Sequence, residues 1–156
     1  MRLKKIELTN FRNYDKYKVD NLKDINIIIG NNGIGKTTIL ESIYVCSLAR
    51  SFKSNDESVM LKNDKDFFKI KICVEDNNKD KNLEYLYTSK GKKTKINSSL
   101  KRKISEFISQ YKVIIFSPDE LRIIKDSPNT RRAYLNVSLS QINKNYLKML
   151  NDYRDY

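Results

Sequence analysis

Residues 30–37 read Gly30-Asn31-Asn32-Gly33-Ile34-Gly35-Lys36-Thr37, an unbroken G-x-x-x-x-G-K-[ST] loop. The loop follows the short β-branched run Ile25-Asn26-Ile27-Ile28-Ile29, which reads as a buried strand. Behind it, Ile39, Leu40, Ile43, Tyr44 and Leu48 recur at helical spacing, which predicts a helix from Lys36 to about Ala49. Strand, glycine loop and helix together give the motif a context that a string match lacks. Glycines let successive backbone N–H groups converge on one point, and the helix N-terminus adds partial positive charge. Lys36 supplies a mobile cation for β- and γ-phosphates, and the Thr37 hydroxyl is a ligand type suited to Mg²⁺. Residues 30–37 therefore imply a nucleoside triphosphate site. The alternative at this point is a glycine-rich turn before a helix.

Lys and Arg number 31 against 19 Asp and Glu, a formal charge of +12. Such a balance favours polyanions, nucleic acid above all. The other reading, lysines at indifferent surface positions, stays open. Cys46 and Cys73 lie far apart without C-x-x-C spacing, so buried reduced thiols are expected rather than a disulfide or metal site. Met1-Arg2-Leu3-Lys4-Lys5-Ile6 leads into no long apolar core, and no stretch approaches the ~18 apolar residues of a membrane span. A cytosolic protein is the expectation. The chain has no histidine, which leaves carboxylates, Lys36, metal or water for any acid–base chemistry.

Ile6-Glu7-Leu8 begins a first strand, and Asn10-Phe11-Arg12-Asn13-Tyr14 follows as a polar-aromatic turn. Residues 50–66 read mainly as loop. Phe68, Ile70, Ile72 and Val74 alternate with Lys69, Lys71, Cys73 and Glu75, the pattern of a half-exposed antiparallel strand. Leu83, Tyr85 and Tyr87 alternate again, and Lys90-Gly91-Lys92 reads as a turn, so two or three meandering strands are expected. Leu100, Ile104, Phe107, Ile108 and Tyr111 predict an amphipathic helix, and Val113-Ile114-Ile115-Phe116 a second buried strand. Ser117-Pro118-Asp119-Glu120 fits a capping box better than a catalytic acidic pair, because Ser, Pro and Glu fall at N-cap, N1 and N3. Ser127-Pro128 opens a last segment in which Leu135, Leu139, Ile142, Tyr146, Leu150 and Tyr153 share one face, as one long helix or a helix pair. Arg131 and Arg132 fall in its first turn, where the dipole disfavours cations. A phosphate contact and a solvated face explain them equally well.

Five motifs in order carry a family resemblance: Leu8-Thr9-Asn10-Phe11-Arg12-Asn13-Tyr14, the loop at 30–37, Leu40-Glu41-Ser42-Ile43-Tyr44, Phe116-Ser117-Pro118-Asp119-Glu120-Leu121 and Ser127-Pro128-Asn129-Thr130-Arg131-Arg132. The chain resembles the N-terminal part of the RecF family of recombination-repair ATPases, related to SMC, Rad50 and ABC-type heads. The resemblance implies an α/β fold, the N-terminal lobe of an ABC-type P-loop NTPase head over residues 1–126. The beginning of a helical second lobe would occupy 127–156. It implies ATP and Mg²⁺ as cofactors, with Asn32 to Thr38 around the triphosphate and Arg12 near the nucleotide. It also implies binding to single-stranded DNA and ss/ds junctions, an ATP-dependent homodimer, and work with RecO and RecR to load RecA. This chain has Asn136 where the family carries an acid, which removes an ion pair to the Arg131-Arg132 turn. The family's Walker B carboxylates and signature motif are absent from these residues, so a truncated frame or fragment without turnover of its own is expected.

Overall fold

The computed structural model describes residues 1–108, 110–116 and 127–154. Six strands form one sheet: β1 (Arg2–Phe11), β2 (Tyr14–Val19), β3 (Phe67–Asp76), β4 (Lys79–Thr88), β5 (Gly91–Ile96) and β6 (Ser99–Lys101). Their order is β2-β1-β3-β4-β5-β6, and every pairing is antiparallel. The expected meander is present, and β2 and β6 extend it. Two-residue connections at Asn77-Asn78 and Asn97-Ser98 have positive φ at both residues, the conformation whose twist suits tight hairpins and which Asn tolerates.

Period-2 alternation decides which face is buried. Ile6, Leu8, Ile70, Ile72, Val74, Leu83 and Tyr85 point into one core, under helix α1 (Lys36–Leu48). Strict alternation from Ile6 and Leu8 would turn Phe11 outward, but Asn10 takes φ 52° and Phe11 is fully buried. There its ring meets Phe68 edge-on at 5.3 Å, and Phe68 stacks on Tyr87 at 5.2 Å. Helix α1 ends at Ala49 in a left-handed cap, as its spacing predicts. Its inward face is Ile39, Ser42, Val45 and Cys46, whereas Leu40 is exposed. Cys46 is buried and Cys73 half-buried, both as free thiols.

Three expectations need correction. Residues 25–29 form no strand: Ile25, Ile27 and Ile29 are 85%, 83% and 86% exposed. Residues 113–116 form none either, and Ile114 and Phe116 are exposed. An apolar run becomes a strand only where neighbours supply hydrogen bonds and cover its faces; neither run has a strand beside it among the described residues. The helix expected from Leu100 to Tyr111 shrinks to α2 (Ile104–Phe107), because Leu100 is taken into β6 opposite Lys95.

The last segment is a pair, α3 (Pro128–Ile142) and α4 (Lys144–Arg154), with Ser127 at the N-cap of α3. They break at Asn143, whose side-chain oxygen accepts from the backbone N–H of Asn145 at 2.9 Å and so starts α4. The face predicted to be apolar is largely open: Leu135, Leu139, Ile142 and Tyr153 are exposed, while Ser140, Gln141 and Leu147 are buried. Ser117-Pro118-Asp119-Glu120 lies outside the described residues.

Candidate nucleotide site

Gly30, Gly33 and Gly35 all have positive φ, the last two at 80° and 108°. Gly35 is additionally fixed by space. A Cβ there would sit 2.7 Å from the Asn13 amide nitrogen and 2.8 Å from the Tyr14 hydroxyl oxygen. Gly35 is also the N-cap of α1, with no side-chain cap and no acid in the first turn. The leading N–H groups of α1 thus meet no competing protein anion, the condition under which a helix start receives phosphate.

Lys36 curls back over the loop, its Nζ donating to the carbonyls of Gly30 at 2.8 Å and Asn31 at 2.9 Å. Thr37 is exposed in the first turn of α1 and Thr38 is buried beneath it. Asn31, Asn32 and Ile34 are exposed on the loop. Among the described residues no cluster of three or more His, Cys, Asp or Glu side chains could hold a metal. Thr37 fits the way Mg²⁺ is held in phosphate sites, by one or two protein oxygens plus phosphate and water.

The β1–β2 turn braces this loop. Asn13 Nδ2 donates to the Ile34 carbonyl at 3.0 Å, and the Tyr14 hydroxyl donates to the same oxygen at 3.4 Å. Burial, with Tyr17 adding to it, pushes the Tyr14 phenol above its usual range, so it stays a donor. Arg12, expected near the nucleotide, makes its side-chain hydrogen bonds to α1 and to the segment before Met60. Its Nη2 and Nε donate to the two carboxylate oxygens of Glu41 at 2.6 and 3.1 Å, and its Nη1 to the Val59 carbonyl at 2.8 Å. Glu41, on α1, is fully buried and accepts further from Ser51 Oγ at 2.5 Å. Lys53 Nζ stands 3.6 Å away. The turn is therefore pinned at two points, to the loop through Asn13 and Tyr14 and to the following helix through Arg12.

Asn13, Tyr14 and Glu41 were not among the candidates from sequence, although all three lie inside the quoted motif boxes. A signal for Glu41 was available: a carboxylate between the buried positions Ile39 and Ser42 needs a cation. At the other end of the described chain, Arg132 donates to the Asn129 side chain at 3.2 Å. Asn136, the departure from the family pattern, accepts from the Tyr146 hydroxyl at 2.6 Å and ties α3 to α4.

A family model for the AAA ATPase domain matches residues 1–152. The chain is 46% identical over 149 residues to the DNA replication and repair protein RecF of Acholeplasma laidlawii, covering 96% of this chain and 42% of that protein. It superposes on a solved structure of the recombination mediator protein RecF-ATP of the RecFOR pathway with TM-score 0.94 and 35% identity, over 99% of this chain and 42% of that one. An SMC head domain from Thermotoga maritima shares the fold at TM-score 0.54 and 22% identity, over 65% of this chain and 39% of that one. The chain spans about two fifths of the length of the RecF relatives it matches. It belongs to the AAA ATPase domain family and, within it, to the RecF group, of which it corresponds to the N-terminal ATPase lobe.

Proposed function

We propose that this chain is the nucleotide-binding lobe of a RecF-type repair protein, taking ATP with Mg²⁺ on residues 30–38. Residues 1–126 are read as the ATP-binding lobe and 127–156 as the start of a helical lobe. The observation that carries the reading is the loop itself: positive-φ glycines, an α1 start without a protein anion, and Lys36 and Thr37 beside it. On binding, Lys36 would exchange the Gly30 and Asn31 carbonyls for β- and γ-phosphate oxygens, Thr37 would face the metal, and the first-turn amides would hold the remaining charge. Arg12 would serve this site by holding the turn that braces the loop.

The rest of the proposal follows the relatives. The protein would bind single-stranded DNA and ss/ds junctions, act with RecO and RecR in assisting RecA, and close as an ATP-dependent dimer. The charge of +12 supports the DNA part. A cytosolic site of action belongs to the same proposal; among the described residues no helix is long and apolar enough to cross a membrane.

The test is titration of the chain with a fluorescent ATP analogue and Mg²⁺, and of DNA with and without Mg-ATP. Lys36→Ala should weaken nucleotide binding at least tenfold and abolish any effect of Mg-ATP on DNA affinity. Equal affinities for the parent and Lys36→Ala would leave only a nucleic-acid-binding fold.

A further inference from the structure

The face of the sheet opposite α1 carries two neighbouring cross-strand rows of very different charge. One row runs Lys18, Glu7, Lys71, Glu84, Lys95 across β2, β1, β3, β4 and β5. Its cations are neutralised: Lys71 and Lys95 lie 3.2 and 3.0 Å from Glu84, and Lys18 lies 2.9 Å from Asp20. The next row runs Lys16, Thr9, Lys69, Leu86, Lys93 across the same five strands. It holds three lysines and no acid. Among the described residues none of the three has an ion-pair partner; Lys16 and Lys93 are exposed and Lys69 half-exposed.

We infer that the Lys16–Lys69–Lys93 row is a contact surface for the phosphate backbone of duplex DNA. Adjacent strands lie ~4.8 Å apart, so the three cations sit at two-strand intervals along a line of about 19 Å. Charge complementarity names a polyanion, since lysines left unpaired beside a neutralised row meet a ligand's charge without first losing a protein partner. The neutral members are Thr9 and Leu86, and the exposed ring that borders the row on β3, Phe67, is one platform where successive single-stranded bases would need several, which favours a duplex over single-stranded DNA. A sheet face laid across the backbone also reaches phosphates without reading base edges. The assignment rests on the DNA-binding part of the proposed function and gives it a location on the sheet face opposite α1.

The experiment measures binding of a labelled ~20-base-pair duplex to the 156-residue chain by anisotropy at several salt concentrations. The triple variant Lys16→Gln, Lys69→Gln, Lys93→Gln should reduce the slope of log K against log[salt] by about 2 to 3, near 0.9 per phosphate contact. Three arginines at those positions should restore the slope. Lys23→Gln, Lys79→Gln, Lys148→Gln removes the same charge elsewhere and should change the slope by less than about 1. A normal slope in the row variant overturns the assignment, as does an equal loss in the control or a loss confined to single-stranded DNA. Failure of the unsubstituted chain to bind duplex at low salt overturns the row, and failure to bind single-stranded DNA as well removes the DNA-binding reading with it. ATP-analogue binding and circular dichroism, unchanged across all variants, exclude misfolding as the cause.

Discussion

Ile70 and Ile27 are the same residue type in two stretches that both read as strands, yet one is fully buried and the other 83% exposed. Ile70 lies on β3 with β1 on one side, β4 on the other and α1 across its face. Ile27 lies in a run with no strand beside it among the described residues. The contrast repeats at Val113, both of whose backbone polar groups are met by one side chain. Gln141 accepts from Val113 N–H at 2.8 Å and donates to its carbonyl at 3.1 Å, as a neighbouring strand would. Ser47 supports that amide, donating to Gln141 Oε1 at 3.3 Å. Strand formation in this molecule is thus a property of neighbours more than of the run itself.

The largest expected effects test that division directly. Phe68→Ala removes a ring packed on Phe11, Tyr85 and Tyr87 and should cost about 3–5 kcal/mol. Ile27→Ala should stay within about 0.5 kcal/mol, because it removes surface already in water. Urea denaturation of both measures the gap, and equal losses would mean that residues 25–29 are packed in solution. Next in size is Arg12→Ala, which leaves the fully buried Glu41 carboxylate with only Ser51 and the more distant Lys53 and should cost about 3 kcal/mol. Adding Glu41→Gln to it should recover part of that loss, as a double-mutant cycle would report.

Gln141→Ala tests the other side of the comparison. It should cost about 1–2 kcal/mol by leaving two backbone groups of Val113 without their partner. Hydrogen exchange at Val113 should accelerate while that at Ile70 is unmoved. The smallest effect is a pH dependence at Glu84. Burial would raise its pKa, but hydrogen bonds from Lys95 and Lys71 more than offset this and hold it below the ordinary value. A carboxylate depressed in the folded state contributes stability that is complete above the unfolded value and is lost as pH falls through the folded one. Glu84→Gln should therefore flatten the acid side of the stability profile, below about pH 4.3, and leave neutral pH almost unchanged.

What was legible in the sequence was local. The loop at 30–37, the span of α1, the alternation of β3 and β4 and the Ser127 start of α3 each follow from residues within a turn or two. Pairing was not legible: Lys16-Tyr17-Lys18-Val19 alternates over only four residues, and β2 forms because β1 offers it an edge. The same limit applies to the site. Lys36 and Thr37 are visible as a motif, whereas Glu41 reads as one more polar helix residue until Arg12 is brought to it across 29 positions. Arg12 was expected near the nucleotide from the family resemblance alone; the hydrogen bonds to the loop made by the two residues after it were not legible in the sequence.

Lys36 has a further consequence. Its ammonium already holds two carbonyls of the loop it belongs to, so in the proposed role a phosphate would arrive as a competitor for a donor in use. Nucleotide affinity would then be the difference between two bound states of one side chain, scaled down to the fraction of molecules whose lysine has let go. Weakening the hold on Gly30 and Asn31 would tighten nucleotide binding without adding a single contact to the nucleotide.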